Sequence, residues 1–589
     1  MTDISTPEAA IKCDDCACFQ AVKALVRSHF STLAAPTSIG QSVRKTLAGE
    51  KDKTGSLAIQ QMLLSCDPSR PLKEHYDCDG SLRLGAGAYG SVFSAKHRKS
   101  EKEYAVKVIV KDDAAIKPEM LASEIALLAS LDHPNVVRLY EYFEEEKSIF
   151  LVTELVVGGD LGDMLQAGEL EEEADVTTMM YQLAHAIAYC HGKGVIHRDL
   201  KMDNCLVDHE HRNVLKVIDF GMAVVHEAAE GSSACDAAWM KGVAGTVPYM
   251  SPEMVDATLN HGAKTDMWSA GVIMYLLLSG GEHPLWQGVK LSEDDMFQRI
   301  LQGVPNMEPL QDAGVSPDGQ DLVSKMLRRE PNQRLGASDV LAHPWFAGNS
   351  VGACDLRRTL GRLGNFTKMS KFEQAVLTVV AHQSGESEVT ELERAFTSLD
   401  TNCTGSLSKD ELRVGFQECG LEVPEAELNA LFDAYHVSGT DKIEYTGWLA
   451  GTMKSSVIDS DQAIKGAFAF FDASGDGELS REELLAVLGA EEAAIFWRHF
   501  SDIDKTSLSF EEFKELMHDL ARRRSAASSA QFGAPSSPHL STEEKKRRWT
   551  TAVSVTSFAS IASSRSSEKA PPTRNRLSLL TDQALTTQA

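Results

Sequence analysis

Cysteine is scarce and scattered in this chain, eleven in 589 residues at irregular spacing. That density excludes a disulfide framework and suits reduced thiols in a cytosol. Apolar runs long enough to span a bilayer are absent, as is a secretory leader, and Thr2 stands where N-myristoylation would need glycine. The expectation is a soluble, cytoplasmic, monomeric protein. Positive charge is also in deficit: 58 Lys and Arg face 85 Asp and Glu, a formal net charge of −27. The deficit is uneven, because residues 521–589 hold eleven Lys and Arg against four Asp and Glu and leave −34 on the remainder. So acidic a body argues against nucleic acid. The basic tail leaves contact with acidic lipid, and so peripheral membrane association, open. Cys13, Cys16 and Cys18 of "CDDCAC" are of a type that binds metal or accepts palmitate, but no matching fourth ligand follows at zinc spacing, and the reading preferred is a mobile acidic terminus.

What the chain does contain is length enough for two to four domains, with 43 % hydrophobic and 24 % charged residues, a balance ordinary for globular protein. The stretch "LGAGAYGSVF" sets Gly85, Gly87 and Gly90 at GxGxxG spacing, followed by Val92. A dinucleotide-binding turn uses similar residues before a helix. Here the next segment is "YAVKVIV", another strand, which favours a glycine hairpin lying over nucleotide phosphates. Lys107 sits in that strand between Val106 and Val108, and a buried cation needs an anion. Glu124, in the helical stretch "EMLASEIALLASL", can supply it, and the pair would hold the α- and β-phosphates of ATP.

The decisive run is "GVIHRDLKMDNCLV" followed by "KVIDFGMA". Together they carry the groups that moving a phosphoryl unit requires. Asp199 orients and deprotonates a hydroxyl, Lys201 neutralises the transferred phosphate, and Asn204 and Asp219 hold magnesium. Positioning and charge neutralisation are what this reaction needs.

At these residues the chain resembles the eukaryotic protein kinases. "GTVPYMSPEM" stands where that family has its APE motif, with Ser251 replacing alanine, and Glu253 is expected to pair with Arg334. Asp266 of "TDMWSAGVIMYLLLSG" is expected to brace the catalytic loop. The resemblance implies a bilobal fold whose adenine pocket includes Leu84, Val92, Ala105, Thr153 as gatekeeper and Glu154 at the start of the hinge. "HRDLKMDN" departs from the family in Met202 and Asp203. Asp203 keeps a carboxylate there, and with Asp160 of "GGDL" it can hold an arginine upstream of the phosphorylated residue, so basic protein substrates are expected. Between Asp219 and Glu253 the segment is long. Ser232 or Ser233, if phosphorylated, can pair with Arg198, or Glu227, Glu230 and Asp236 can substitute for the phosphate.

Beyond the kinase-like core the sequence repeats a helix–loop–helix unit at intervals of about three dozen residues. In "DASGDGELSREE", Asp472, Ser474, Asp476, the backbone at Glu478, Ser480 and Glu483 fall at the six ligand positions of a calcium loop, with Gly477 at its sharp turn. "DTNCTGSLSKDE" repeats the pattern with Asp400, Asn402, Thr404, the backbone at Ser406, Ser408 and Glu411, and Gly405 at the turn. This loop is expected to bind more weakly, having two ligand carboxylates against three. The second copy, from His436 to Gly447, has lost both end ligands. The fourth, holding Asp502 and Glu512, is a residue short, so each lobe would pair one working loop with one structural partner.

This order of parts resembles the calcium-dependent protein kinases. It implies an α+β chain: a bilobal protein kinase fold at 79–346, an autoinhibitory junction at 347–390, and an all-α EF-hand domain of two paired lobes at 391–521. Residues 1–78 and 522–589 are expected to be mostly disordered, with Ser525 and Thr550 as candidate autophosphorylation sites. ATP, magnesium and calcium are the implied cofactors. The junction, "LRRTLGRLGNFTKMSKFEQAVLTVVAHQ", reads as an amphipathic helix that calcium-loaded lobes capture through Leu360, Leu363, Phe366, Met369 and Phe372. Two rivals are a calcium-binding scaffold with a dead kinase fold and a kinase whose EF units are only structural.

Overall fold

The computed structural model describes residues 71–78, 83–87, 90–111, 118–208, 214–225, 245–256, 262–347, 356–366, 369–384, 386–421, 423–435, 442–454, 460–472, 474–488, 490–497 and 506–530. The chain divides into two compact units, Met1–Arg522 and Arg523–Ala589. All that follows concerns the first, except that a helix begun there is described as far as Ala530.

The glycine-rich stretch is a hairpin of β1 (Arg83–Gly87) and β2 (Gly90–His97), followed by β3 (Glu103–Val110), α1 (Pro118–Ser130), β4 (Leu139–Glu144) and β5 (Ser148–Thr153). The antiparallel order is β1-β2-β3-β5-β4. Gly90 is required by sterics, since a Cβ there would stand 1.8 Å from the Val108 carbonyl oxygen of β3. Period-two alternation splits β3 between two faces. Tyr104, Val106 and Val108 enter one apolar cluster, while Lys107 and Ile109 point toward α1.

The larger lobe is built on α2 (Glu173–Gly192) and α3 (Lys264–Leu278), with the hairpin β6 (Cys205–Asp208) and β7 (Val214–Val217) against α2. Helix α3 is apolar nearly all round, and apart from its first residue every position is buried, as such helices require.

After these two lobes come α4 (Leu356–Phe366) and α5 (Lys371–Gln383), then, among the described residues, α6 (Glu386–Leu399), α7 (Lys409–Glu418), α8 (Glu425–Tyr435), α9 (Tyr445–Thr452), α10 (Asp461–Phe471), α11 (Arg481–Leu488), α12 (Ala490–Trp497) and α13 (Phe510–Ala530). Short strands join the loops in pairs. β8 (Ser406–Ser408) faces β9 (Lys442–Glu444) through Leu407 and Ile443, and β10 (Glu478–Ser480) faces β11 (Ser507–Ser509) through Leu479 and Leu508. Each pair sets the strand of a loop whose sequence has the full ligand register beside the strand of one whose sequence lacks it.

One expectation, the single junction helix, needs correction, and two edges of the ends expected to be mostly disordered lie in folded elements. The chain before residue 79 is not wholly outside the folded body: Leu72 and Tyr76 are buried in the small-lobe cluster, and Tyr76 pairs with His97. The tail from 522 begins as helix, because "ARRRSAASSA" holds strong helix formers and no breaker, and so continues α13 to Ala530. The junction is two helices and not one. A capping box ends its continuity: Ser370 Oγ accepts from Glu373 N–H at 3.3 Å, and Glu373 accepts from Ser370 N–H at 2.9 Å. Cys13, Cys16, Cys18, Ser232, Ser233, Glu227, Glu230, Asp236, His436, Asp502 and Thr550 lie outside the described residues.

Candidate active site and calcium loops

The loop carrying Asp199 is suspended from one buried carboxylate. Asp266, in the first turn of α3, accepts from the backbone N–H groups of His197 at 2.9 Å and Arg198 at 2.8 Å, and lies 2.8 Å from His191 Nε2. Burial opposes its ionisation, but the bonds from His191 and Arg198 outweigh burial and hold its pKa below the ordinary value. Arg198 and Asp219 both adopt left-handed backbone, φ 67° and 61°, and Arg198 Nε donates to the Met222 carbonyl at 2.7 Å, tying the two strained segments together.

The sequence-predicted residues converge. Lys107 Nζ is 2.8 Å from Asp219 Oδ1 and 3.4 Å from Glu124 Oε1. Burial works against the ammonium, yet these two carboxylates outweigh it and raise the Lys107 pKa. Asn204 Nδ2 donates to the Asp199 carbonyl at 2.8 Å, a bond that does not engage its amide oxygen. Lys201 Nζ is 3.5 Å from Asp199 Oδ2. Across the sheet, Val92 is the partner of Lys107 and Ala105 the partner of Thr153, which puts those side chains on one face of the sheet; Leu84 is exposed on β1, and Gly85 and Gly87 lie in its hairpin. Glu154 follows β5, its N–H donating to the Arg138 carbonyl at 3.0 Å and its carboxylate accepting from Arg138 N–H at 2.7 Å.

One participant escaped the sequence reading. Thr246 Oγ1 donates to Asp199 Oδ1 at 2.8 Å and accepts from Lys201 Nζ at 3.2 Å, so a single hydroxyl joins both. Its neighbour Gly245, φ 99°, allows the approach, since a Cβ there would lie 2.6 Å from the Arg198 carbonyl oxygen. The signal was present in "GTVPYMSPEM" but nothing local tied that threonine to a residue 47 positions earlier. Glu253 and Arg334 pair as expected, bidentate at 2.6 and 3.0 Å and almost fully buried. Asp160 Oδ1 caps a short helix, accepting from Gly162 and Asp163 N–H groups at 2.7 and 3.0 Å. Burial first, then the charges of Asp163 and Asp203, raise its pKa.

Both ligand-bearing loops are folded around their acidic ends. In the first, Asp400 Oδ2 accepts from Gly405 N–H at 2.7 Å and Glu411 reaches back to Asn402 N–H at 3.2 Å. Burial, reinforced by Glu411, pushes the Asp400 carboxyl up to about 6. In the second, Asp472 Oδ2 accepts from Gly477 N–H at 3.1 Å and Glu483 Oε1 from Ser474 N–H at 2.8 Å. Among the described residues no three His, Cys, Asp or Glu side chains converge as metal ligands, because several donors are hydroxyls, an amide or carbonyls and the carboxylates rest on backbone amides. The donor set itself fits a hard cation: every candidate ligand is oxygen, from Asp400, Asn402, Thr404, Ser406 and Glu411 in one loop and Asp472, Ser474, Asp476, Glu478 and Glu483 in the other.

The junction lies inside the helical module. Leu360, Leu363, Phe366 and Phe372 are buried and Met369 is half-buried. Helix α4 packs on α6, α8 and α9, while α5 also reaches α10, α11 and α12, where Phe372 meets Phe496 at 4.4 Å between ring centroids. The module in turn touches the small lobe. Arg138 Nη1 donates to the His382 carbonyl at 2.8 Å at the end of α5, Lys102 donates to the Gln383 carbonyl, and Thr446 donates to Asp132 twice at 2.8 Å. No described helix is long and apolar enough to cross a membrane.

Comparison with known proteins agrees with these parts. Residues 80–346 match the protein kinase domain family and residues 464–488 the EF hand family. The chain is 31 % identical over 449 residues to calcium-dependent protein kinase 33 of Arabidopsis thaliana, covering 74 % of this chain and 84 % of the relative. It is 32 % identical over 445 residues to calcium-dependent protein kinase 19 of Oryza sativa subsp. japonica, covering 74 % and 81 %. It is 31 % identical over 443 residues to calcium-dependent protein kinase 5 of Plasmodium falciparum (isolate 3D7), covering 74 % of each.

Proposed function

The chain belongs to the calcium-dependent protein kinases, and from that premise we propose how its own residues perform and control phosphoryl transfer. It is a calcium-regulated serine/threonine protein kinase that uses ATP and magnesium and acts on proteins. Asp199 accepts the proton of the substrate hydroxyl and aims that oxygen, held by Asn204 from one side and Thr246 from the other. Lys201 offsets charge on the moving phosphoryl group, and Lys107, aligned by Glu124, takes the α- and β-phosphates. Asn204 and Asp219 would hold magnesium, which when bound neutralises phosphate charge. Leu84, Val92, Ala105, Thr153 and Glu154 line the adenine end, and Gly85, Gly87 and Gly90 let backbone approach the phosphates. The single observation that carries this reading is the chain of contacts from Glu124 through Lys107 to Asp219, with Asp199 bonded to Asn204, Lys201 and Thr246.

Asp160 and Asp203 favour a basic residue upstream of the target hydroxyl, since a cation there would offset the burial and the neighbouring charges of Asp163 and Asp203 that together raise the Asp160 pKa. The junction is the transducer. Its burial in the helical module is what a captured state requires, and withdrawal from that module would free the same apolar face for inhibitory contact with the kinase. Calcium held by the loops from Asp400 and Asp472 biases the element toward capture. The test is phosphorylation of a basic peptide with ATP and magnesium in calcium and in chelator, on the intact chain and on a Glu411→Gln, Glu483→Gln double variant. Calcium-stimulated turnover lost in the double variant is expected. Equal turnover in calcium and chelator would end the switch, and no turnover in either would end the assignment of Asp199 and its partners.

A further inference from the structure

The loop beginning at Asp472 already holds a cation of the protein's own. Lys99 Nζ lies 2.6 Å from Asp472 Oδ2, and the Asp472 side chain is completely buried beneath it while Lys99 remains 43 % exposed. These residues are 373 positions apart, one in the small kinase lobe and one at the first ligand position of the calcium loop. Lys99 stands on the tight connection between β2 and β3, and that connection is stiff. His97 Nδ1 and Ser100 Oγ are 2.8 Å apart, Glu101 N–H donates to the His97 carbonyl at 2.8 Å, and His97 N–H to the Lys102 carbonyl at 2.8 Å. The ammonium is therefore presented by a braced hairpin and not by a floppy loop.

We infer that Lys99 is a tethered counter-cation that lowers the calcium affinity of the 472–483 loop whenever that loop is docked on the small lobe. The inference rests on reading this loop as a calcium site. Affinity in such loops follows ligand charge. Asp472, Asp476 and Glu483 give this loop three ligand carboxylates, against Asp400 and Glu411 in the first loop. With the Lys99 ammonium on Asp472 the count falls from −3 to −2, the value of the first loop, so docking removes the advantage that composition alone assigns. The ammonium sits on the carboxylate oxygen that also accepts Gly477 N–H, while Oδ1 faces Ser474 Oγ at 3.3 Å. A divalent ion drawn to Oδ1 meets the lysine charge across one carboxylate, and the two repel whether or not the lysine leaves. The first loop meets the kinase differently, its Gly405 against the Tyr189 ring and Cys403 within the large-lobe core. Linkage is reciprocal, so calcium at this loop also weakens the Lys99 contact.

The test is calcium titration by calorimetry of the full chain in a Glu411→Gln background, which leaves the 472–483 loop as the site read. Lys99→Gln is expected to tighten binding about tenfold and Lys99→Arg to leave it near the parent value. Hydrogen exchange at residues 97–102 is expected to rise on adding calcium in the parent and not in Lys99→Gln. Unchanged or weaker binding in Lys99→Gln, with heat still lost in Glu483→Gln, overturns the inference and leaves the calcium site standing. Absence of any heat in the parent that Glu483→Gln removes overturns the calcium reading of this loop and the inference with it.

Discussion

Thr246 Oγ1 donates a 2.8 Å hydrogen bond to Asp199 Oδ1, so the segment before Glu253 fixes the rotamer of the carboxylate proposed to receive a proton. The same hydroxyl accepts from Lys201 at 3.2 Å, which makes it the hinge of an Asp–Thr–Lys arrangement. Thr246→Val is isosteric and removes both bonds. Turnover is expected to fall about tenfold or more with little change in peptide KM, since misplacement of a catalytic group acts on kcat. Thr246→Ser should recover most of the loss, and steady-state kinetics of the two variants would expose a merely structural role if both KM and melting temperature moved instead.

Glu253 and Arg334 are a buried bidentate pair with further bonds from Arg334 to the carbonyls of Lys264 and Arg328. Arg334 also lies over the Trp268 ring, 5.2 Å from its centroid. Replacing Glu253 by Gln leaves a guanidinium without its counter-charge in an apolar site. The expected loss is about 3–5 kcal/mol of unfolding free energy, measured by denaturant titration. A loss below 1 kcal/mol, a ceiling about that of exposed pairs, would contradict the burial on which the expectation stands.

Acid should destabilise the kinase lobes well before their carboxylates titrate. Burial lowers the His185 pKa from 6.5 to about 4, beside the Tyr181 ring and close to buried His133. Between those values the unfolded chain binds the extra proton. Stability from this group is therefore full above pH 6.5 and falls as pH drops toward 4, by roughly 3 kcal/mol at most. His185→Gln should flatten the pH dependence of unfolding free energy across that window, and an unaltered slope would mean that the native imidazole is already protonated.

Substrate choice should follow Asp160 and Asp203. Asp160→Asn keeps a side-chain oxygen for the helix cap at Gly162 and Asp163 but drops the charge. With Asp203→Asn it is expected to lower kcat/KM for a peptide carrying an upstream arginine about tenfold or more, and to leave a peptide with alanine there nearly unaffected. Equal losses on both peptides would refute recognition through these two carboxylates.

Residue type and order alone determined which chemistry the chain can perform. Lys107, Asp199, Asn204 and Asp219 are legible because phosphoryl transfer tolerates few substitutes at those spacings. The calcium loops are legible for a similar reason, their six ligand positions being local in sequence. The two-faced character of β3 likewise follows from its own alternation. Tertiary structure decided what depends on approach between distant segments. Thr246 reaches Asp199 only because Gly245 lets two loops close on each other. The break of the junction into α4 and α5 is different, because its capping box joins Ser370 to Glu373 three positions on and so is written locally, where the apolar periodicity alone runs past it. Lys99 looks like any surface lysine in "KHRKSEKEY", and its partner lies 373 residues away. Charge acts through space and not along the chain, so a ranking of the two loops read from their own carboxylates leaves out the ammonium that the fold sets on Asp472.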